Sequence, residues 1–327
     1  MGAGLQGNGS ESLFAGEGRP PLESANEGMK ALFRLVRRVA AALATVLLEG
    51  KSGTGKELFA RALHVHSPRR DRPFVALNCA AVTETLLESE IFGHVRGAFS
   101  WAIADKPGLV EVADTGTFFL DEVSEMPPPM QVKLLRMIEE KEFRRVGDVA
   151  PRHVDIAIIA ATNKNLHDLV KEGRFRDDLY YRLKVDWIRI PPLRERVEDI
   201  LCLAETFLRE HTSSLHRPVL ELSAEAKEFL LRYTWPGNIR ELRNCMHHLV
   251  STSEETGVGL EALEGYLGSL SSGSAEPPAS EGILERLWRE EIEAALKKHG
   301  GNRGEAAREL DVDPKTLRKR MRKLGLE

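Results

Sequence analysis

Cysteine is scarce in this chain: its 327 residues hold Cys79, Cys202 and Cys245. No two of them stand in C-x-x-C spacing and none has histidine partners in sequence. Neither a disulfide framework nor a zinc site is encoded, and all three read as reduced packing residues. Long apolar runs are also missing. None approaches the roughly 18 residues that span a bilayer, and the glycine-rich start lacks the basic-then-apolar layout of a signal peptide. The expectation is a cytoplasmic protein with no membrane anchor. Aromatic residues make up 6% of the chain, which sets apart Gly97-Ala98-Phe99-Ser100-Trp101-Ala102, where two of them stand in a run of small residues. Those six residues read either as a buried turn or as a moving apolar contact.

What is present is a soluble globular composition, 42% hydrophobic and 29% charged. The length exceeds what one core supports, so one large domain with smaller modules is expected. The net charge of −4 conceals an asymmetry, because residues 294–326 carry ten Lys/Arg against four Asp/Glu. That local +6 leaves −10 for the remainder, a basic end on an acidic body, which points to nucleic acid at one end.

Residues 1–22 are rich in glycine and polar residues without periodicity and read as a flexible lead. From Met29 the spacing of Leu32, Phe33, Val36 and Val39 predicts a helix, followed by a buried strand at Ala44 to Leu48. Similar strands recur at 74–77, 117–120, 154–160 and 185–190, separated by helix-length segments. This alternation predicts an α/β fold with a parallel sheet covered on both faces, over residues 23–192. After Pro191-Pro192 the pattern turns helical, predicting a small lid over 193–268. A Ser, Gly, Pro and Ala-rich linker over 269–282 then leads to three short helices over 283–327.

Gly50-Lys51-Ser52-Gly53-Thr54-Gly55-Lys56 fits the phosphate-loop pattern G-x-x-x-x-G-K, after a buried strand and before a helix. Glycines let backbone N–H groups face phosphates, and Lys56 reaches the terminal ones. Glu57 stands where the generic motif has a Ser or Thr whose hydroxyl binds magnesium. The strand Thr117 to Leu120 ends in Asp121, suited to Mg2+, and Glu122, suited to orienting or deprotonating an attacking water. Together these predict a Mg2+-dependent ATPase. Asn163, after another strand, reads either as a γ-phosphate sensor or as a turn cap. Arg176 and Arg182 flank Asp177-Asp178-Leu179-Tyr180-Tyr181, and are either solvated and paired with those acids or fingers that reach a neighbouring subunit's nucleotide.

With these residues assembled, the chain resembles the AAA+ bacterial enhancer-binding proteins, which activate RNA polymerase carrying sigma-54. The match covers about residues 24–326. It includes Gly50 to Glu57, Leu77-Asn78-Cys79, Phe92-Gly93-His94 and Leu120-Asp121-Glu122. It continues through Phe175 to Leu183, Pro191-Pro192-Leu193-Arg194-Glu195-Arg196 and Trp235 to Leu242. The resemblance implies a P-loop core of the AAA+ kind, ATP and Mg2+ as ligands, Asn78 as a switch that holds Glu122, and Arg240 as a lid arginine on the nucleotide. It also implies Arg176 and Arg182 as trans-acting fingers of a homo-oligomeric ring, in this family usually a hexamer. The nucleotide-contacting set is then Gly50, Ser52, Gly53, Thr54, Gly55, Lys56, Glu57, Asn163 and Arg240.

The family's sigma-contacting loop reads GAFTGA; here it reads GAFSWA. Phe99 is retained and Ser100 keeps a hydroxyl, whereas Trp101 replaces a glycine with the largest side chain and removes its freedom at positive φ. Phe99, Ser100 and Trp101 are the implied contact with sigma-54 RNA polymerase. Lys51 stands where the family usually has Glu.

Residues 301–324 have the spacing of a helix-turn-helix and resemble a Fis-type DNA-binding domain. Ala306, Ala307, Leu310, Val312, Leu317, Met321 and Leu324 would face inward. Lys315, Thr316, Arg318, Lys319 and Arg322 remain outward for a major groove and its phosphates. On the preceding helix Leu284, Leu287, Trp288 and Ile292 share a face, for packing within the domain or for a dimer seam.

Overall fold

The computed structural model describes residues 11–13, 23–99, 102–215, 220–253 and 257–272, with single residues at 292, 296, 299, 303, 305 and 321. The chain divides into two compact units, residues 1–260 and 261–327.

In the first unit, helix α1 (Glu27–Ala42) starts where the Asn26 side chain accepts the Met29 amide at 3.1 Å. An Asn cap satisfies an orphan amide of the first turn. Strand β1 (Val46–Glu49) leads through the glycine-rich loop to α2 (Lys56–Val65), then β2 (Phe74–Asn78) and α3 (Glu84–Phe92). Next come β3 (Thr117–Asp121), α4 (Pro128–Glu140), β4 (Ala157–Thr162), α5 (Leu166–Lys171), α6 (Asp177–Leu183) and β5 (Asp186–Arg189).

The five strands form one parallel sheet in the order β5-β1-β4-β3-β2. Successive side chains on a strand point to opposite faces, and here both faces are buried. Leu47, Phe118, Leu120, Ile158 and Ala160 join one core with α3 to α6, while Val46, Leu48, Phe119, Ile159 and Ala161 join the other with α1 and α2. The predicted α/β fold with both faces covered is therefore the observed one. The start of the glycine-rich loop, Asp121 and Thr162 all lie at the carboxyl ends of neighbouring strands, where open parallel sheets bind ligands.

The lid consists of α7 (Glu198–Ser214), α8 (Ala224–Arg232) and α9 (Asn238–Thr252). The turn into α9 is strained. Trp235 and Asn238 have φ of 48° and 54°, and a bulky residue rarely adopts this region. Tertiary bonds hold it: the buried Trp235 indole donates to Leu230 O at 2.9 Å, and Glu241 accepts from Gly237 N at 2.8 Å and from the Tyr233 hydroxyl at 3.0 Å.

Two expectations need correction. The lead over 1–22 is not irregular throughout, because Glu11–Ser12 pairs antiparallel with Glu23–Ser24 and Leu13 is 1% exposed in the core that contains Met29 and Phe33. A single apolar residue with a place to be buried escapes any periodicity test. The linker expected from residue 269 begins too early, since helix α10 (Leu260–Ser272) runs through that point with Leu263 and Leu267 buried one turn apart. Of the basic end, Ile292 and Met321 are helical and buried, as the inward face requires. Lys315, Thr316, Arg318, Lys319 and Arg322 lie outside the described residues. No described helix is long and apolar enough to cross a membrane.

Candidate nucleotide site and loop tip

The loop Gly50 to Lys56 turns back on itself so that its own groups shape it. Thr54 N and Oγ1 both donate to Lys51 O, at 3.3 and 2.8 Å, and Lys56 Nζ donates to Gly50 O at 3.2 Å. Gly53 has φ +77°, and a Cβ there would meet Gly237 O at 2.2 Å, so glycine is required both by conformation and by the approach of the lid backbone.

Opposite the loop stands Glu122, itself at φ 51° just past β3. One carboxylate oxygen lies 3.6 Å from Lys56 Nζ and the other accepts Asn163 N at 3.4 Å. The Glu122 amide donates to Asp121 Oδ1 at 3.0 Å, which leaves the second oxygen of Asp121 for another ligand. Asn163 Oδ1 is buried without a hydrogen-bond partner, an exception among buried polar groups. Burial and the charges of Asp121 and Glu122 push the Cys79 thiol up to about 12, so it stays protonated beside the acids.

The remaining predicted residues divide. Arg240 Nη1 donates to Ser52 Oγ at 3.1 Å, which brings the lid arginine onto the loop. Asn78 sits beside Asp121 in the sheet register, but its side chain accepts the Ala80 amide at 2.8 Å and makes no hydrogen bond to Glu122. Glu57 points away, paired on the exposed side of α2 with Arg61 at 2.7 Å. Arg176 is paired with Asp178 at 2.7 Å, and that guanidinium holds the Asp178 carboxyl below its usual range. Arg182 is exposed and makes no ion pair among the described residues.

Two contributors were missed although both lie in quoted motifs. Asn238 Nδ2 donates to Ser52 O at 2.9 Å while its oxygen accepts Leu193 N at 2.9 Å. Arg196, 2% exposed, donates to Thr54 O at 3.1 Å. Burial lowers its pKa to about 10 against the opposing pull of Asp199. Neither contact has a local signal, since Asn238 meets Ser52 and Arg196 meets Thr54 across the fold.

The loop segment projects from a small ribbon, Gly93–His94 paired with Lys106–Pro107. Its turn is closed by Gly97 N to Ala102 O at 2.8 Å and Ala102 N to Phe99 O at 2.9 Å, with Gly97 at φ +83°. The Phe99 ring stands edge-on to His94, centroids 4.8 Å apart, and His94 Nδ1 shares a hydrogen bond with Ser89 of α3 at 2.7 Å. Arg96 and Gly97 are exposed, Ala98 and Phe99 half-buried and Ala102 buried. Ser100 and Trp101 lie outside the described residues.

A loop of this shape beside paired acids, capped by a lid, is that of a P-loop nucleotide site. The chain matches the family model of the Sigma-54 interaction domain over residues 22–189, the AAA+ ATPase lid domain over 194–280 and the bacterial regulatory protein, Fis family, over 284–324. This chain belongs to the sigma-54-dependent transcriptional regulators. It is 47% identical over 292 residues to the transcriptional regulatory protein ZraR of Klebsiella oxytoca, covering 88% of this chain and 66% of that one. The alginate biosynthesis transcriptional regulatory protein AlgB of Pseudomonas aeruginosa is 42% identical over 305 residues, with 93% and 68% covered. The Nif-specific regulatory protein of Azotobacter vinelandii is 45% identical, and the chain spans 58% of its length. Among solved structures, NtrX of Brucella abortus in complex with ADP is 32% identical with a TM-score of 0.70, covering 92% of this chain and 69% of that one. In this sigma-54-dependent regulator the glycine-rich loop and the small ribbon both lie within the matched residues 22–189.

Proposed function

We infer that this chain is an ATP-hydrolysing transcription activator that binds upstream DNA, forms a homo-oligomeric ring and remodels sigma-54 RNA polymerase to open promoters. The observation that carries this reading is the meeting of three elements at one loop: Lys56 against Glu122 at 3.6 Å, and Arg240 of the lid on Ser52 at 3.1 Å. A site that joins a phosphate-binding lysine, a carboxylate base and a lid cation couples closure to phosphate charge. The solved relative bound to ADP supports nucleotide as the ligand.

The residues fit that nucleotide. Backbone amides of the glycine-rich loop other than that of Thr54 face the phosphates, Lys56 neutralises them, the side-chain NH2 of Asn163 donates to the γ end, and Glu122 orients the attacking water and takes its proton. Magnesium is held by one or two carboxylates together with phosphates, and the second oxygen of Asp121 at the strand end suits that role. Asp121 would hold Mg2+, which supplies neutralisation of charge on the phosphates. Asn78 is one strand from Glu122 and is the carboxamide that exchanges with Asn163 for it between nucleotide states. Arg182 is ready to act in a neighbour's site, whereas Arg176 must first leave Asp178.

Domain limits of 23–192 for the core and 283–327 for DNA binding accompany this reading, with a lid that starts at 193 and runs past the expected end at 268. Phe99, Ser100 and Trp101 form the sigma-54 contact, and Lys315, Thr316, Arg318, Lys319 and Arg322 the DNA contact. A second reading, a DNA-binding regulator that keeps its ATP site for assembly and no longer engages sigma-54, rests on Trp101 in place of glycine. Open-complex formation with sigma-54 polymerase and ATP separates the two. Activity of the native chain supports remodelling; an inactive native chain rescued by Trp101→Gly supports the second reading.

A further inference from the structure

Arg196 is a buried cation with too few partners. Its Nη2 donates to Thr54 O at 3.1 Å, its Nη1 contacts the Met29 sulfur at 3.7 Å, and its Nε is buried without a hydrogen-bond partner. No carboxylate among the described residues lies within ion-pair distance of it, and a buried charge left so is costly. The obvious counter-ion is three residues away. Asp199, 1% exposed at the start of α7, donates its amide to Arg196 O at 3.0 Å and is close enough to favour the charge on Arg196.

Asp199 is already taken. The Ser24 hydroxyl lies 2.6 and 2.8 Å from its two oxygens, and the Ala25 and Asn26 amides donate to Oδ1 at 3.0 and 3.4 Å. Asn26 is tied a second time through its side chain to Glu198 at 2.9 Å. The segment just before α1 therefore engages, with one hydroxyl and two amides, the acid that would otherwise neutralise Arg196. The guanidinium is left to bond a carbonyl of the phosphate-binding loop.

We propose that Arg196 is a further positioning residue of the nucleotide site, and that Ser24 to Asn26 control it by occupying Asp199. While the segment is docked, Arg196 holds the Thr54 carbonyl and fixes the loop with its amides turned inward. When the segment is lifted, Asp199 draws Arg196 away and the loop loses that anchor. The device rests on the reading of the loop as an ATP site and adds a regulator to it, namely any force that moves the segment ahead of α1.

The test is affinity for a fluorescent ADP, measured by anisotropy on the full chain. Ser24→Ala should weaken binding roughly 10- to 100-fold, the range of one hydrogen bond to a charged group. Adding Asp199→Asn to it should restore the native value, because the competing charge is gone. Arg196→Met should bind as weakly as Ser24→Ala and be unaffected by it. Native affinity in Ser24→Ala, or still weaker binding in the double variant, overturns the proposal while leaving the ATP site standing. A native chain that binds no ADP overturns both.

Discussion

Lys56 and Glu122 face each other across the site, with the ammonium 3.6 Å from one carboxylate oxygen and 3.2 Å from Gly50 O. One buried cation thus sets the curl of the loop and the direction of the acid. Lys56→Met should weaken ADP binding roughly 10- to 100-fold, the worth of a charged contact in a partly dry site. Anisotropy with labelled ADP measures it, and near-native affinity would remove Lys56 from the phosphate-binding role.

The lid is fastened to the loop through Asn238. Asn238→Ala leaves Ser52 O and Leu193 N without their partner, costing about 2–4 kcal/mol for two such groups. Urea unfolding should show the loss, and nucleotide affinity should fall with it. Arg243→Ala is the control on the same helix: it removes a pair with Glu210 and a contact over the Phe207 ring, both away from the loop, and should leave affinity at the native value.

If Arg182 acts in a neighbour's site, two inactive variants should complement each other. Glu122→Ala lacks the base but keeps its finger, and Arg182→Ala the reverse. Mixed rings then contain sites with both groups, so phosphate release should reappear on mixing. Additive inactivity would show that Arg182 does not work in trans.

Glu111 and Arg145 form a doubly bonded pair, both contacts 2.7 Å, beside the hairpin ribbon. That guanidinium holds the Glu111 carboxyl below its ordinary 4.5. A carboxyl depressed on folding stabilises the native state above the unfolded value, and the benefit disappears as pH falls through the lower folded one. Glu111→Gln should therefore cost about 1–2 kcal/mol at neutral pH, a modest figure for a pair that is partly solvent-screened. The difference from native should shrink only below about pH 4.5 in urea unfolding across pH. A difference that stays constant well below that pH would contradict the pairing.

Cysteine reactivity separates buried from accessible thiols. Cys79 and Cys245 are buried and both are pushed up to about 12 by burial, whereas Cys202 is half-buried. Iodoacetamide at about pH 8 should label Cys202 first by mass spectrometry. Preferential labelling of Cys79 would mean that the end of β2 opens.

The core was legible because buried parallel strands read as continuous apolar runs, and the loop because glycine spacing and Lys56 leave few other uses. The meeting of Lys56 with Asp121 and Glu122 followed from strand ends gathered on one edge of the sheet. Arg196, Asn238 and the Ser24 to Asn26 segment were not legible. Their partners lie far off in sequence: Ser24 meets Asp199, and Asn238 meets Ser52. No local pattern encodes a bond made across a fold. Leu13 escaped for the same reason. Glu57 shows the reverse case, a residue adjacent to the motif whose side chain points to Arg61 and away from the site.

Turnover of ATP at this loop is the central claim, and phosphate release by the native chain and Glu122→Ala, with ADP affinity measured on both, tests it most directly. The native chain should release phosphate, and Glu122→Ala should keep nucleotide affinity while releasing none. Unchanged phosphate release in Glu122→Ala, or none from a native chain that binds nucleotide and assembles, would contradict it.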